Sequence, residues 1–501
     1  MSFRREVGLG LFWVTLSAIA LRGVSMIRDM VLARWLMPDE LGLVATATTV
    51  ISALELFAEL GFSSALIYRK DNTDAAANTA FVLVIFNCLA LYSVAWFAAP
   101  FVAQFFASDT PGTVVLLTHV LRVLALTLVM ASFGEVPLTL LTKELGFKKR
   151  VLPEIIAGLS GTTLSIILAF MHKGVWSIVY GRVLTSLLMS ITVWFFCPWR
   201  PKFAFSKAVA KELWDYGRHI IGSQVLVFGI TNIDNAMVSK YVGQAALGGY
   251  WLAYKLSNLP ATEISRAVGR VMFPAYSKVQ GDLTRLRQVF LKSAKYVSLV
   301  AFPVATVTLV FAADFMDVAY GGKYPYAVPA LQWLTIYGLA RAIAGTMGSV
   351  FKAGGKPKWL VYIATWRLVT MAALLYPAIQ WNGITGVGVL STVVAMLDFG
   401  ISLYLTNRIV KAKWMAYLRI FVPMGIASTG AALLAHVVYR AMTDLLHPFI
   451  ALPLAGALAL ALYLGIMYAY DADVRLLITQ LVRGGIQEVR LRLAHKPAVV
   501  S

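Results

Sequence analysis

AANTAFVLVIFNCLALYSVAWFAAPFVAQFF, residues 76–106, holds no charged side chain. Coiled as a helix rising about 1.5 Å per residue, it is long enough to cross about 30 Å of hydrocarbon. Similar stretches recur at 8–35, 41–67, 113–141, 152–171, 174–197, 217–241, 245–272, 289–315, 327–351, 358–379, 384–407, 416–440 and 448–470. Lipid cannot satisfy free backbone N–H and C=O groups, so spanning segments are helices or closed barrels. The alternation of a barrel strand is absent here. These stretches predict an all-α polytopic membrane protein with 14 transmembrane helices.

Composition agrees. Of 501 residues, 59% are apolar and 14% charged, against about 25% charged in an ordinary soluble domain. Mean hydropathy is +0.75. There are too few charges to solvate the surface of a soluble protein of this size. Soluble enzymes, disordered scaffolds and secreted disulfide domains are excluded. The net charge of +20 fits cytoplasmic loops that meet anionic lipid, and with no soluble basic domain no nucleic-acid partner is expected. Cys88 and Cys197 lie in or at the end of apolar segments, and the six histidines lack ligand spacing. No metal or cofactor is expected. Gly322-Lys323 and Gly355-Lys356 lack the rest of a phosphate-binding loop, and Gly386-x-Gly388 lacks a third glycine. No Ser/His/Asp or HExxH arrangement is present, so the reading is not an enzyme.

Loop charges orient the chain. With the N-terminus inside, the inside segments hold 29 Lys and Arg residues, from Arg4 and Arg5 through Lys143, Lys148, Lys149 and Arg150 to Arg490, Arg492 and Lys496. The outside segments hold Arg34, Lys173, Lys240, Lys323 and Arg440. This bias alternates at every loop and places both termini in the cytoplasm. The N-terminus mimics a signal peptide, with Ala18-x-Ala20 as a cleavage site, but the apolar run continues to about Trp35 and reads as the first spanning helix.

An internal repeat divides the chain. Arg34-Trp35-Leu36, Leu41-Gly42 and Ala47 correspond to Lys240-Tyr241-Val242, Leu247-Gly248 and Ala253, a constant offset of 206 residues. Six helices separate the copies, so both point the same way, and the halves are related by an axis along the membrane normal. The expected divisions are a six-helix lobe at 1–197, a cytoplasmic amphipathic linker at 198–216, a second six-helix lobe at 217–410, helices 13 and 14 at 411–470, and a basic amphipathic tail at 471–501. In the linker Phe203, Val209, Leu213 and Trp214 are expected as apolar anchors on the membrane surface.

The charges inside spans carry the chemistry. The bases there are Arg22, Arg28, Arg122, Arg182, Lys255, Arg266, Arg270, Arg341, Arg367 and Arg419. The acids are Asp29, Glu55, Glu59, Glu135, Glu154, Asp234, Glu263 and Asp398. A charge at mid-helix costs about 2.5–3.5 kcal/mol even on the lenient insertion scale. Arg266, Arg270 and Arg419 lie near inside ends and can reach the interface. Arg22 and Asp29 share one helix face, as do Glu55 and Glu59. Two readings stand: an ion-pair network holding the bundle, or a hydrated cavity lined by guanidinium groups that suits phosphate. Asn232-Ile233-Asp234-Asn235 adds polar groups that cannot all face lipid. Pro137, Pro260, Gly386 and Gly388 suggest bends.

Phe62-Ser63-Ser64-Ala65-Leu66-Ile67 is followed by Arg69-Lys70-Asp71 and by Thr79-Ala80-Phe81, and Glu144-x-x-Phe147-Lys148 by Glu154-Ile155-Ile156. Further on come Gly174-Val175-Trp176-Ser177, Trp199-Arg200-Pro201, Asn232-x-Asp234-Asn235, Leu247-Gly248-x-Tyr250, Ala253-Tyr254-Lys255-Leu256 and Arg270-Val271-x-Phe273-Pro274. Together these stretches resemble the Wzx-type polysaccharide flippases, close to the colanic acid exporter branch. They span about residues 10–280. The resemblance implies the MOP exporter fold, two six-helix lobes in a V with two added helices. It implies flipping of an undecaprenyl-pyrophosphate-linked oligosaccharide across the bacterial inner membrane by alternating access, with a polysaccharide polymerase and chain-length machinery as candidate partners. Lipid II flippases of that superfamily use arginines on helices 1, 2 and 8. Here helix 1 has Arg22 and Arg28 and helix 8 has Lys255, whereas helix 2 has Glu55 and Glu59.

The expected cavity residues are therefore Arg22, Arg28, Arg122, Lys255, Arg341, Asn232 and Asn235, binding the pyrophosphate of a lipid-linked glycan. Asp29, Glu55, Glu59 and Asp234 are expected either to orient these bases or to carry coupling protons. The alternatives are a drug/cation antiporter, which needs a net acidic cavity, and a membrane glycosyltransferase or polymerase, which generally presents larger external loops.

Overall fold

The computed structural model describes residues 21–69, 73–107, 111–144, 147–202, 204–477 and 479–480. Arg4, Arg5, the cleavage motif Ala18-x-Ala20, Lys70, Phe203 and the tail from 481 onward lie outside the described residues, as do the side chains of Lys148, Pro260, Arg266 and Arg270. The described elements are helices: α1 (residues 21–35), α2 (Pro38–Ala58), α3 (Phe62–Tyr68), α4 (Thr73–Ala107), α5 (Pro111–Lys143), α6 (Phe147–Phe170), α7 (Trp176–Phe196), α8 (Lys207–Tyr241), α9 (Gln244–Val279), α10 (Leu283–Val310), α11 (Ala312–Tyr320), α12 (Val328–Ala353), α13 (Lys358–Val410), α14 (Trp414–Met442) and α15 (Pro448–Tyr470). Among the described residues ten helices are long and apolar enough to cross a membrane.

The helices depart from the apolar runs at two breaks and keep to them at a third. The run 41–67 breaks at Leu60 and Gly61, whose φ angles are +50° and +68°. The run 289–315 breaks at Phe311. Within α13, Asn382 and Gly383 leave helical geometry, and a Cβ on Gly386 would lie 2.0 Å from the Ala378 carbonyl oxygen. The chain doubles back there, at the Gln380–Gly383 turn the sequence predicts.

The segment read as a surface linker is instead partly a helix continuous with the next span. Ser206 caps α8, its hydroxyl accepting from the Val209 N–H. Val209 and Leu213, expected to face the membrane surface, are buried against α4 and α5 residues such as Ala80, Val84 and Leu140. Their four-residue spacing puts both on one face of α8, and that face meets protein. Phe205 and Trp214 remain exposed.

The chain forms two compact units. The first comprises residues 1–254, 319–330 and 364–390. Lipid tails are as apolar as leucine, so its helices associate through close backbone packing rather than through hydrophobic transfer. Ala95, Ala99, Ala103 and Ala107 form a stripe of small residues along α4 that is buried with Leu117, Val120, Leu121 and Leu124 of α5. The α6–α7 contact is tighter. A Cβ on Gly161 would stand 1.9 Å from Thr185 Oγ1, and one on Gly181 would stand 1.8 Å from Ser165 Oγ.

Two of the motif stretches meet in this unit. Phe81 packs edge-on against Trp194 and Trp199, Asn78 Oδ1 accepts from the Lys202 N–H at 2.8 Å, and Thr79 Oγ1 accepts from the Ser206 N–H. Lysines close several helix ends. Lys143 Nζ donates to the Leu66 and Arg69 carbonyls and to Thr73 Oγ1. Lys323 Nζ donates to the Arg34 and Leu36 carbonyls at the end of α1. A cation at a helix C-terminus satisfies orphan carbonyls and complements the helix dipole.

The second unit comprises residues 255–318, 331–363 and 391–501. Its core around Tyr276, Phe290, Met347, Phe351 and Tyr417 joins α9, α10, α12 and α14. Alanine stripes bring α14 and α15 together: Ala427, Ala431 and Ala435 on one, Ala451, Ala455 and Ala459 on the other. Beyond α15, Lys295 Nζ of α10 binds Asp471 Oδ1 at 2.7 Å and Asp473 Oδ2 at 2.8 Å. Lys295 holds the Asp473 carboxyl below its ordinary range.

Candidate substrate chamber

Within the first unit α2 and α8 separate along their middles. A cavity of about 460 Å³ lies there, lined on one side by Ser52, Glu55, Leu56 and Glu59 and on the other by Ser223, Gln224, Val227, Phe228 and Thr231. A second space of about 190 Å³ opens behind Glu55 and Glu59, toward α4 and α5, and is lined by Cys88, Thr127, Ser132 and Glu135 among others. Glu55 and Glu59 therefore face both spaces. Their spacing of one turn places them on one face of α2. The left-handed break at Leu60-Gly61 then ends the helix, and Gly61 packs on Gly217 of α8 at a distance no side chain would permit.

Two of the three carboxylates that face these spaces, Glu55 and Glu135, have polar partners. Ser52 Oγ donates to Glu55 Oε2 at 3.2 Å. Arg182 reaches over from α7: Nη2 lies 3.6 Å from Glu55 Oε1, and Nη1 donates to Thr48 Oγ1 at 2.9 Å. Ser63 Oγ donates to Glu135 Oε1 at 2.7 Å. Charges at this depth are tolerated where they meet partners or a water-filled cavity, and both are provided here.

The other expected residues occupy several environments. Arg28 donates through Nε and Nη2 to Asp29 Oδ1 at 3.2 and 3.0 Å, and Asp29 is buried. Arg22 is exposed on the first described turn of α1. Arg122 lies 4.6 Å above the Trp96 ring and donates to the Trp96 carbonyl. Asn232 Nδ2 donates to the Phe228 carbonyl at 3.2 Å and to Thr231 Oγ1 at 2.9 Å, two residues on the chamber wall. Asp234 is buried beside the chamber helix, with Oδ2 accepting from the Tyr250 hydroxyl at 2.6 Å and Oδ1 from the Asn235 N–H. Asn235 Oδ1 is buried without a hydrogen-bond partner among the described residues. In the second unit Arg341 Nη1 donates to the Tyr337 hydroxyl at 2.8 Å and contacts Asn258 Oδ1 at 3.4 Å; Lys255 is half-buried on α9.

The structure thus brings Glu55 and Glu59 onto one chamber wall and sets Asn232 beside Phe228 and Thr231 of the facing wall. The walls of the two cavities include none of Arg22, Arg28 or Arg122. The guanidinium that reaches Glu55 is Arg182, a base inside a span that stands outside the expected cavity set. Glu135 likewise stands outside that set. The only signal for either was a charge inside a span. Their partners lie on other helices, so no local spacing could single them out.

An all-helical polytopic bundle with a polar chamber inside its first unit defines a membrane protein of transporter architecture. The chain matches the family described as polysaccharide biosynthesis protein over residues 31–329, more than half its length, and it belongs to that family. The teichuronic acid biosynthesis protein TuaB of Bacillus subtilis is 27% identical over 442 residues, covering 86% of this chain and 90% of that protein. The lipopolysaccharide biosynthesis protein WzxC of Escherichia coli is 26% identical, covering 70% and 71%. Among solved structures, the lipid II flippase MurJ in an inward closed conformation superposes with a TM-score of 0.75 at 15% identity, covering 92% of this chain and 99% of that one. An inward-facing multidrug resistance MATE transporter of the MOP superfamily gives 0.62 at 18% identity, covering 78% and 95%. At these identities the structures establish a shared all-helical polytopic fold.

Proposed function

We propose that the protein carries an undecaprenyl-pyrophosphate-linked oligosaccharide repeat unit from the inner to the outer leaflet of the bacterial cytoplasmic membrane, by alternating access. The carrying observation is the polar chamber between α2 and α8, in a chain of the polysaccharide biosynthesis family. Relatives named for teichuronic acid and lipopolysaccharide biosynthesis, and a fold neighbour named as a lipid II flippase, support a lipid-linked glycan as cargo. The chamber would take the polar headgroup while the lipid tail stays in the bilayer.

The proposed organisation has 14 spans with both termini cytoplasmic, and six-helix lobes at 1–197 and 217–410. The break inside α13 supports it, because it divides 53 residues into two spans. The charge bias of the loops supports the orientation. Arg22, Arg28, Arg122, Lys255 and Arg341, with Asn232 and Asn235, are the proposed pyrophosphate-binding groups. Asp29, Glu55, Glu59 and Asp234 orient bases or carry coupling protons. No sugar transfer is proposed.

In a strain carrying Arg22→Ala, the lipid-linked repeat unit should accumulate on the inner leaflet while polymer export falls. Wild-type export from that strain would remove Arg22 from the path. Sugar transfer by the purified protein would replace the transport reading with an enzymatic one.

A further inference from the structure

We infer that the crossing of α2 with the α8–α9 corner is the extracytoplasmic seal of the chamber, a joint of two bare backbones that must part for cargo to leave. The inference rests on the transport reading and orientation proposed above.

The repeat offset of 206 residues equates Pro38 with Gln244 and Gly42 with Gly248. The structure sets these four residues against one another. A Cβ on Gly42 would lie 1.7 Å from the Gln244 carbonyl oxygen; a Cβ on Gly248 would lie 2.4 Å from the Pro38 carbonyl oxygen and 3.1 Å from the Gly42 nitrogen. Each copy's glycine thus faces the carbonyl of the residue four positions earlier in the other copy. A reciprocal contact of equivalent residues lies on the axis that relates the copies. Neither glycine has a positive φ, so what glycine supplies at both positions is space.

A ring of neutral hydrogen bonds flanks this crossing. Thr46 Oγ1 donates to Gln244 Oε1 at 2.7 Å, Gln244 Nε2 donates to Ser239 Oγ at 3.1 Å, and the Ser239 hydroxyl, 2.8 Å from Thr46 Oγ1, closes the circuit. Thr46 and Ser239 are 2% and 1% exposed. Six residues past Thr46, Ser52 begins the chamber wall; eight residues before Ser239, Thr231 ends it. The crossing therefore stands between the chamber and the ends of α1 and α8, where the outside charges Arg34 and Lys240 lie. A permanent packing contact could be sealed with apolar side chains. This one is made of small hydroxyl and amide groups that exchange their partners for water when parted, so little is lost on opening.

The test uses Ser52→Cys as a reporter in a Cys88→Ala, Cys197→Ala background, with a membrane-impermeant maleimide added outside spheroplasts. Gly42→Ala and Gly248→Ala should each speed labelling by about tenfold, and by similar factors, because the positions are equivalent. Should either variant fail to fold, the pair Thr46→Cys with Ser239→Cys carries the test, since its reacting atoms stand within reach of a disulfide. Oxidation should stop both reporter labelling and polymer export, and reduction should restore both. A disulfide that forms while labelling and export continue, or a pair that never forms one, overturns the seal. Lys173→Cys must label from outside; if it does not, the orientation falls and takes the assigned side of the seal with it. Loss of reporter labelling on oxidation without any effect on glycan export leaves the seal intact and overturns the cargo assignment.

Discussion

Replacing Arg182 with methionine separates a structural ion pair from a working one. The guanidinium makes one 2.9 Å hydrogen bond to Thr48 and one 3.6 Å contact with Glu55. The two side chains retain 34% and 44% of their exposure. A half-exposed pair with a single long contact contributes roughly 0.2–1 kcal/mol, and a hydrogen bond from a charged donor adds about 1.5 kcal/mol. Arg182→Met should therefore lower the unfolding free energy by about 2 kcal/mol. In a double-mutant cycle with Glu55→Gln, the coupling should stay below about 1 kcal/mol. Export should suffer far more than stability. If a diphosphate displaces Glu55 from the guanidinium during passage, the variant loses a charge-assisted contact worth at least about 2 kcal/mol, or some thirtyfold in rate. Unfolding of the purified protein and polymer export at matched protein abundance measure the two quantities. A coupling above about 3 kcal/mol would mark the pair as a buried staple. Wild-type export from Arg182→Met would refute the link between this chamber wall and the cargo.

Other outcomes follow from the same geometry. Gly181→Val should overfill the α6–α7 contact, where even a Cβ would stand 1.8 Å from Ser165 Oγ, and lower stability by about 1–3 kcal/mol; unchanged thermal unfolding would contradict the close packing. Tyr250→Phe strips Asp234 Oδ2 of its donor and should cost about 1–3 kcal/mol, readable as a lower unfolding temperature. Asp473 has a depressed folded-state pKa because of Lys295. Its stabilising contribution is therefore full above the unfolded value of about 4 and is lost as pH falls through the lower folded value. Between pH 5 and 3 the wild type should lose more stability than Lys295→Met, and equal acid sensitivity of the two proteins would rule out this linkage.

The spans were legible because lipid imposes long uncharged runs, and the Asn382-Gly383 turn because the loop charges alternate across it. Three features were not legible, each for a physical reason. The helical start of α8 at Lys207 was hidden by its charges, although Ser206 is a good cap and Val209 and Leu213 share a face; periodicity names the buried side without saying whether lipid or protein covers it. The break at Leu60-Gly61 falls inside an unbroken apolar run, where hydropathy is silent about φ. The pairing of Glu55 with Arg182 joins α2 to α7, and sequence spacing says nothing about neighbours on different helices. The repeat was visible as a constant offset, but only coordinates show its two copies touching at equivalent residues.

The 35 residues of α8 run without interruption from the basic stretch at Lys207 to Tyr241. At about 1.5 Å per residue that is a rod some 50 Å long. Its lower end is gripped by Arg69 on Glu212 and by Tyr68 stacked on Tyr216; its upper end carries Ser239 and Lys240. A tilt of about 10° at the grip would swing the far tip by roughly 9 Å. A rod with no break along its length moves as one piece, so a displacement at Glu212 and Tyr216 arrives at Ser239 and Lys240 with no joint between to absorb it.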